Sequence, residues 1–424
     1  MKPISAALLF VALSARAETA RPSLPGLDAL YPALDALYLD LHRHPELSLH
    51  EGKTALKLAS QLSAAGYQVT PGVGGTGVVG VLRNGQGPTV LLRTELDALP
   101  VEEKTGLPYA STVPGVMHAC GHDVHMSAWT GAATLLAHGK DKWRGTVVMV
   151  GQPAEETVQG ARAMLADGLF KRFPKPDFSI AVHDSSDAPA GRVMVIPGFV
   201  MANVDSVDIT IFGRGGHGAK PETTIDPIPI AARTVLALQT IISREKDPQE
   251  PAVITVGSIH GGSKHNIIPD EVKLQLTVRT YKPEVRAQLL AAIARVAKGE
   301  ALAAGATREP LVTTSEGQSA TYNDPAVTRR IGAALARDLG QENVVEGRPD
   351  MVAEDFGEFG KAAGVPSVLL RFGAVEPARY EAAIKAGTPL PGLHSSTFVP
   401  DRERAIKSGA TILTLAALEL LGKP

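Results

Sequence analysis

The chain has 424 residues and a mass of 44.4 kDa, enough for two or three domains or for one large domain carrying an insertion. Apolar residues make up 44% and charged residues 20%, while 42 Gly and 31 Pro together stay below the disorder range of about 25–30%, so disordered, collagenous and low-complexity classes are excluded. Lys plus Arg total 42 against 44 Asp plus Glu, for a formal charge of -2, and only 4% of residues are aromatic, so nucleic acid would meet neither an attractive field nor stacking platforms.

At the N-terminus, Met1 and Lys2 precede an apolar run over residues 4–13 and then Ala15-Arg16-Ala17. The run is too short to span a bilayer, and the small-x-small triplet suits cleavage before Glu18. Residues 1–17 therefore read as a signal peptide and the mature protein as exported, to the periplasm or outside the cell. No later apolar run approaches about 20 residues, so no membrane partner is expected once the leader is gone. Export makes the single cysteine informative, because Cys120 has no internal disulfide partner. It is either a small buried hydrophobe or a thiolate held by a metal.

After a linker over 19–26, Leu27, Leu30, Tyr31, Leu34, Leu37, Tyr38 and Leu41 fall at helical spacing. Short apolar runs at 89–92, 145–150, 178–182 and 367–372 are separated by helical stretches that include 126–137 and 161–170. This pattern predicts an α/β domain with a mixed, mainly parallel sheet flanked by helices. Near residue 200 the pattern changes. Val207, Ile209 and Ile211 alternate with Asp208 and Thr210, and Val272, Leu274, Leu276 and Val278 alternate with Lys273, Gln275 and Thr277, as antiparallel strands with one solvated face do. With strands at 252–258 and 311–314 and helices at 228–244 and 283–302, the order is β-α-β-β-α-β, a ferredoxin-like α+β module. The expected organisation is thus a leader at 1–17, a catalytic domain split into 18–198 and 312–424, and an inserted domain at 199–311.

The densest chemistry is His118-Ala119-Cys120-Gly121-His122-Asp123, with His125 close behind. Cys and His two positions apart can both reach one ion across a flexible Gly, although a structural turn has the same spacing. Strand 145–150 runs into Gln152-Pro153-Ala154-Glu155-Glu156, strand 178–182 into His183-Asp184, and Gly392-Leu393-His394 follows the last strand. Acids and imidazoles just beyond strand ends are what an open α/β sheet gathers in its binding crevice. Two adjacent carboxylates cost energy unless a cation compensates one and a task occupies the other. Glu156 suits a ligand and Glu155 the general base of metal-assisted hydrolysis. Glu354-Asp355, ahead of a predicted helix, reads as a pair of helix N-terminal acids.

Ordered along the chain stand Leu41-His42-Arg43-His44-Pro45-Glu46-Leu47, Asp97-Ala98-Leu99-Pro100, His118 to Asp123, Gln152 to Glu156, Gly216-His217-Gly218-Ala219, Asn266-Ile267-Ile268-Pro269-Asp270, Glu354-Asp355-Phe356 and Gly392-Leu393-His394. In these motifs the chain resembles the aminoacylase and carboxypeptidase type of co-catalytic metallopeptidases, in the hippurate hydrolase and auxin-conjugate amidohydrolase branch. The resemblance covers nearly the whole mature chain and implies a co-catalytic zinc exopeptidase-like catalytic domain. It implies that Cys120, His122, Glu156, His183 and His394 hold one or two divalent ions, whether Zn, Mn, Co or Ni, and that Glu155 is the base and later the proton donor to the leaving amine. It implies that the insertion is a lid that closes over the substrate and pairs two copies into a homodimer. His217 would then donate to the developing oxyanion, Asn266 and Arg279 would hold a carboxylate, and Asp97, His118 and Asp123 would orient the ligands from behind. One departure is Arg93-Thr94-Glu95-Leu96-Asp97, where the family has Arg-Ala-Asp-x-Asp, so that Glu95 is longer by a methylene.

The expected activity is hydrolysis of the amide bond of a small N-acyl amino acid, hippurate-like, to a carboxylic acid and a free amino acid. A carboxypeptidase or dipeptidase acting on short peptides is the nearest rival. Cys120 as a covalent nucleophile would leave Glu155, Glu156, His183 and His394 without purpose. A non-catalytic exported protein that binds metal or peptide would need the ligands but no base.

Overall fold

The protein is described by a computed structural model over residues 24–423; the leader at 1–17 and its cleavage site lie outside the described residues. The four apolar runs form adjacent parallel strands, in the order Gly145–Gln152, Thr89–Glu95, Phe178–Pro189, Ser367–Val375. Both faces of these strands are covered, which is why they read as continuous apolar runs; Ser367–Val375 is buried at every position. An antiparallel pair, Gln68–Val73 and Gly77–Asn84, extends one edge, and Val193–Val195 with Val344–Glu346 extends the other, to eight strands. Gln68–Val73 is broken by Pro71 and Gly72 and the two strands at the other edge have three residues each, so their apolar periodicity is weak, whereas Gly77–Asn84 is buried over its first six positions.

One face of the sheet packs against helices Leu27–Arg43, Gly52–Ala64, His122–His138, Pro325–Leu339 and Arg402–Leu420, around Leu92, Trp129, Trp143 and Phe372. The opposite face carries Leu91, Ala181 and Leu369 under Phe356 and Phe359, with shorter helices Gly160–Ala166, Leu169–Arg172 and Gly357–Ala363. The single helix expected over 161–170 is two, because Gly168 takes φ 83, a left-handed conformation that ends one helix before the next begins.

The inserted module has a fully antiparallel sheet ordered Ala252–His260, Glu271–Thr280, Val204–Phe212, Leu311–Gln318, with helices Pro227–Thr240 and Pro283–Ala303 on its apolar face. This is the ferredoxin-like order. Its sheet runs from Val204 to Gln318, so the last strand extends past the boundary drawn at 311; Thr313, Thr314 and Ser315 there lack the apolar alternation that marks the other strands. The two crossings between domains are tied together. Gly198–Met201 pairs with Thr321–Asn323, and the Asn203 side chain accepts from Thr280 N at 2.6 Å and Thr280 Oγ1 at 3.0 Å.

A buried ionic clasp holds the first helix against the sheet's long crossover loop. His42 Nδ1 lies 2.7 Å from Asp123 Oδ2 and its Nε2 3.3 Å from Glu103 Oε1, with Tyr38 stacked on the ring. Burial pulls the imidazole down, but the two carboxylates outweigh it and raise His42 to about 9. Burial likewise pushes Glu103 up, and His42, the Ser111 N–H and the Thr105 hydroxyl bring it down to about 2. The stability from His42 is complete below its ordinary value of 6.5 and is lost as pH climbs through about 9. That from Glu103 is present above 4.5 and is lost as pH falls through about 2. Urea unfolding at a series of pH values is therefore expected to show stability declining between about 6.5 and 9, and His42→Gln to reduce that slope, the remainder being carried by His122 and His125, which are raised to about 10 and about 9. Parallel slopes in the two proteins would take His42 out of this role.

Candidate metal centre

The parallel strands bring their C-terminal ends to one edge, and the connections leaving that edge carry the candidate ligands. After Thr89–Glu95 the chain crosses to Cys120, and Gly121, at φ 76, starts helix His122–His138 with His122 in its first turn. Only glycine fits at 121: a Cβ there would stand 2.3 Å from Asp184 Oδ2. Glu155 and Glu156 follow strand Gly145–Gln152, His183 lies within Phe178–Pro189, and His394 sits at φ 66 in the loop before helix Arg402–Leu420. The His394 loop is held by its own N–H on the Ala119 carbonyl at 2.8 Å.

These residues converge. One potential ligand atom each from Cys120, Glu156 and His394 lie within 4.8 Å of one another, as do those of His122, Glu155 and Glu156, so Glu156 is common to both groups. His394 Nε2 is 3.5 Å from Glu156 Oε2, His122 Nε2 is 3.9 Å from Glu156 Oε1 and 3.8 Å from Glu155 Oε2, and Cys120 Sγ is 3.7 Å from His183 Nε2. Both inner histidines are set for metal binding through Nε2. The Nδ1 of His122 rests on the Asp97 carbonyl and the Nδ1 of His183 on the Asp184 carbonyl, each at 2.8 Å, which assigns the proton to Nδ1 and turns the Nε2 lone pair inward.

The electrostatics ask for a cation. His122 Nε2 and Glu156 Oε1 are buried and have no hydrogen-bond partner. Burial pushes the Cys120 thiol up, and Glu156 and Glu155 add to it, so a thiolate there needs a positive ion beside it. Burial also raises Glu155 and Glu156, the former further through Glu354 and Glu156. Burial lowers His122, but Asp97, Glu95 and Glu156 more than reverse this and raise it to about 10. Sulfur, nitrogen and oxygen donors in one buried cluster suit a borderline divalent ion such as Zn.

Other expected residues fall elsewhere. Asp97 touches two candidate ligands, since its carbonyl holds His122 and its carboxylate receives Glu156 N–H at 3.0 Å, beside Ser48 Oγ at 2.7 Å. The Asp123 carboxylate faces His42, and His118 is buried with both ring nitrogens unpartnered. His217 and Asn266 come together on the inserted module, where Gly216–His217 pairs with Ile267–Ile268 beside a cavity of about 540 Å³. His217 Nδ1 accepts from Ala219 N at 3.0 Å, so Nε2 carries the proton. Arg279, on strand Glu271–Thr280, donates from Nε to Thr277 Oγ1 at 3.0 Å.

Behind the cluster lie residues whose part the sequence did not reveal. His125 wedges between the two inner histidines, with ring centroids 4.6 Å from His183 and 5.5 Å from His122. Its Nδ1 meets Glu95 Oε2 at 3.1 Å and its Nε2 accepts from Asp184 N at 2.9 Å. Glu95, the longer side chain, is thereby occupied by His125 and Arg93. Arg93, fully buried, also donates to Gln152 Oε1 at 2.9 Å, to Glu354 at 2.7 and 3.0 Å, and to Asp355 Oδ1 at 3.2 Å. Glu354 and Asp355 thus serve this guanidinium and not mainly a helix end; the spacing of His125 three residues after His122 was the one local signal for this layer.

Residues 91–385 match the family described as Peptidase family M20/M25/M40. The chain is 38% identical to a hippurate hydrolase of Campylobacter jejuni over 79% of its length and 87% of the relative's. It is also 38% identical to thermostable carboxypeptidase 1 of Saccharolobus solfataricus, over 90% of this chain and 94% of that one. A crystal structure of the Bacillus subtilis YXEP protein, described as a dinuclear metal binding peptidase from the M20 family, superposes with a TM-score of 0.76 at 29% identity, covering 93% of this chain and 99% of that one.

Proposed function

The chain belongs to peptidase family M20/M25/M40 and is a metal-dependent hydrolase of amide or peptide bonds, and from that premise we propose that it releases free amino acids from N-acyl amino acids. The divergence of two adjacent carboxylates carries this reading: Glu156 faces His394 and Cys120, while Glu155 lies between His122 and the Arg93 network. In this reading Cys120, His122, Glu156, His183 and His394 hold one or two divalent ions. Bound metal supplies Lewis-acid polarisation of the scissile carbonyl and makes a water acidic near neutral pH. Glu155 takes the proton from the attacking water and returns it to the leaving amine. The His217 Nε2–H donates to the oxyanion as the module closes, and Asn266 and Arg279 take the amino acid's carboxylate. Pairing of two copies through the lid is supported by its outer strand Ala252–His260, which exposes Ile259. Export is supported by the leader sequence at 1–17.

The test is amino-acid release by the chain lacking residues 1–17, on N-acetyl and N-benzoyl amino acids beside free dipeptides. Release from the acylated compounds is expected, to vanish with chelator and return with added divalent metal. Release from dipeptides alone would move the assignment to a peptidase, the activity for which the Saccharolobus relative is named.

A further inference from the structure

Two arginines project from the same face of the central sheet, Arg371 two residues nearer the C-terminal strand ends than Arg93, and they are treated differently. Arg93 is saturated by Gln152, Glu95, Glu354 and Asp355. Arg371 is 6% exposed and far less satisfied. Its Nε is buried without a partner, Nη2 donates to Ser185 Oγ at 3.1 Å, and its two acids stand off, Asp350 at 3.4 Å and Asp187 at 3.7 Å. A guanidinium taken out of water costs several kcal/mol unless its donors are met. The Asp350 and Asp187 side chains are 37% and 71% exposed, so water can solvate them if another anion takes their place.

Its position is equally specific. Arg371 is the register partner of His183 in the parallel pair Phe178–Pro189 and Ser367–Val375, so the two side chains leave the same face side by side. Ser185 lies two residues beyond His183. Asp350 is bound at the crossing to the inserted module, its carbonyl accepting from Ala202 N at 3.2 Å and Tyr281 Oη at 3.0 Å. Arg371 therefore stands between His183 of the metal cluster and the crossing to the inserted module.

We propose that Arg371 with Ser185 forms a carboxylate subsite beside the metal cluster, which receives an anionic group of the substrate across Nη1 and Nη2, in the place of Asp350 and Asp187. This rests on the amidohydrolase reading above. The geometry is that of bidentate guanidinium–carboxylate recognition, with the serine hydroxyl as a further donor. The anion is either a second carboxylate on a diacid acyl group or the α-carboxylate of the released amino acid, in which case Arg371 and Ser185 take the part given above to Asn266 and Arg279.

The experiment compares the wild type with Arg371→Gln and Arg371→Lys on three substrates: an N-benzoyl amino acid, its carboxamide, and the N-succinyl amino acid carboxamide. For Arg371→Gln a loss of about 10- to 100-fold in kcat/KM, carried by KM, is expected on one carboxylate-bearing substrate, with the neutral benzoyl carboxamide unchanged. Loss on the benzoyl amino acid identifies the α-carboxylate as the occupant, and loss on the succinyl compound identifies the acyl side. Equal losses on all three, or none, would overturn the subsite. Arg371→Lys keeps the charge without the fork; should Arg371→Gln not fold, the same selective KM rise in the lysine variant is required. If the wild type hydrolyses none of the three, the functional reading fails. Calorimetric binding of the benzoyl amino acid, compared with its carboxamide in wild type and variants, then decides the subsite by itself.

Discussion

Glu155→Gln is expected to keep the metal and lower kcat by about 1,000-fold. Glutamine preserves the shape of the side chain and removes only the basic oxygen, and a positioned general base is worth about 100- to 10,000-fold. Glu155 is buried to 6% exposure and stands 3.8 Å from His122 Nε2, while the two candidate ligand contacts of Glu156, to His122 and His394, do not involve it. The measurement is kcat beside metal content of the purified protein. A near-normal rate would remove Glu155 from the role, and a loss of metal parallel to the loss of rate would make it a ligand. Stability should not fall. Burial, then Glu354, Glu156 and Asp355, raise the Glu155 carboxyl, so its ionisation weighs against the fold as pH rises above the ordinary carboxylate range. A neutral amide relieves that repulsion, and a Tm equal to or above the wild type is expected.

Arg93→Met is expected to destabilise the protein by about 3–5 kcal/mol, the usual cost of stranding buried charges by removing one partner. Methionine nearly matches the aliphatic stem, so the cost is electrostatic. Glu95 is held well below the ordinary carboxylate range although burial opposes this, chiefly by Arg93 and His125. Without the guanidinium, Glu95, Glu354 and Asp355 share a fully buried space with Glu155. Asp355, already raised to about 7 by burial despite Arg93, would protonate first. Urea unfolding of the apo protein measures the effect without metal linkage. A second change, Glu354→Gln, should restore part of the loss in the double variant by removing one stranded charge. A single-variant loss under about 1 kcal/mol would show that the acids do not depend on Arg93 for neutralisation.

The parallel strands, the inserted α+β module and the types of residue at the strand ends were legible in the sequence. Each is a local property: a strand covered on both faces is apolar at every position, a strand covered on one face alternates, and donors for an ion occur where strands end. The order of the motifs was enough to point to the family to which the chain belongs. The three-residue edge strands were less legible because they are too short to show a period, and the strand Leu311–Gln318 because its polar, mostly exposed residues leave little periodicity.

The pairing of charges was decided by tertiary structure alone. Asp123 follows His122 directly, yet its carboxylate belongs to His42, 81 residues away. Arg93 takes its carboxylates from Glu354 and Asp355, 261 and 262 residues on, and His125 becomes the wedge between two histidines only once Glu95 and Asp184 flank it. Arg371 stands out only beside Arg93, as a second buried guanidinium left short of acceptors. Hydrophobic periodicity records which side of an element is covered, whereas a buried charge is fixed by whichever opposite charge the packed fold brings within hydrogen-bonding reach, and that depends on contacts between distant parts of the chain.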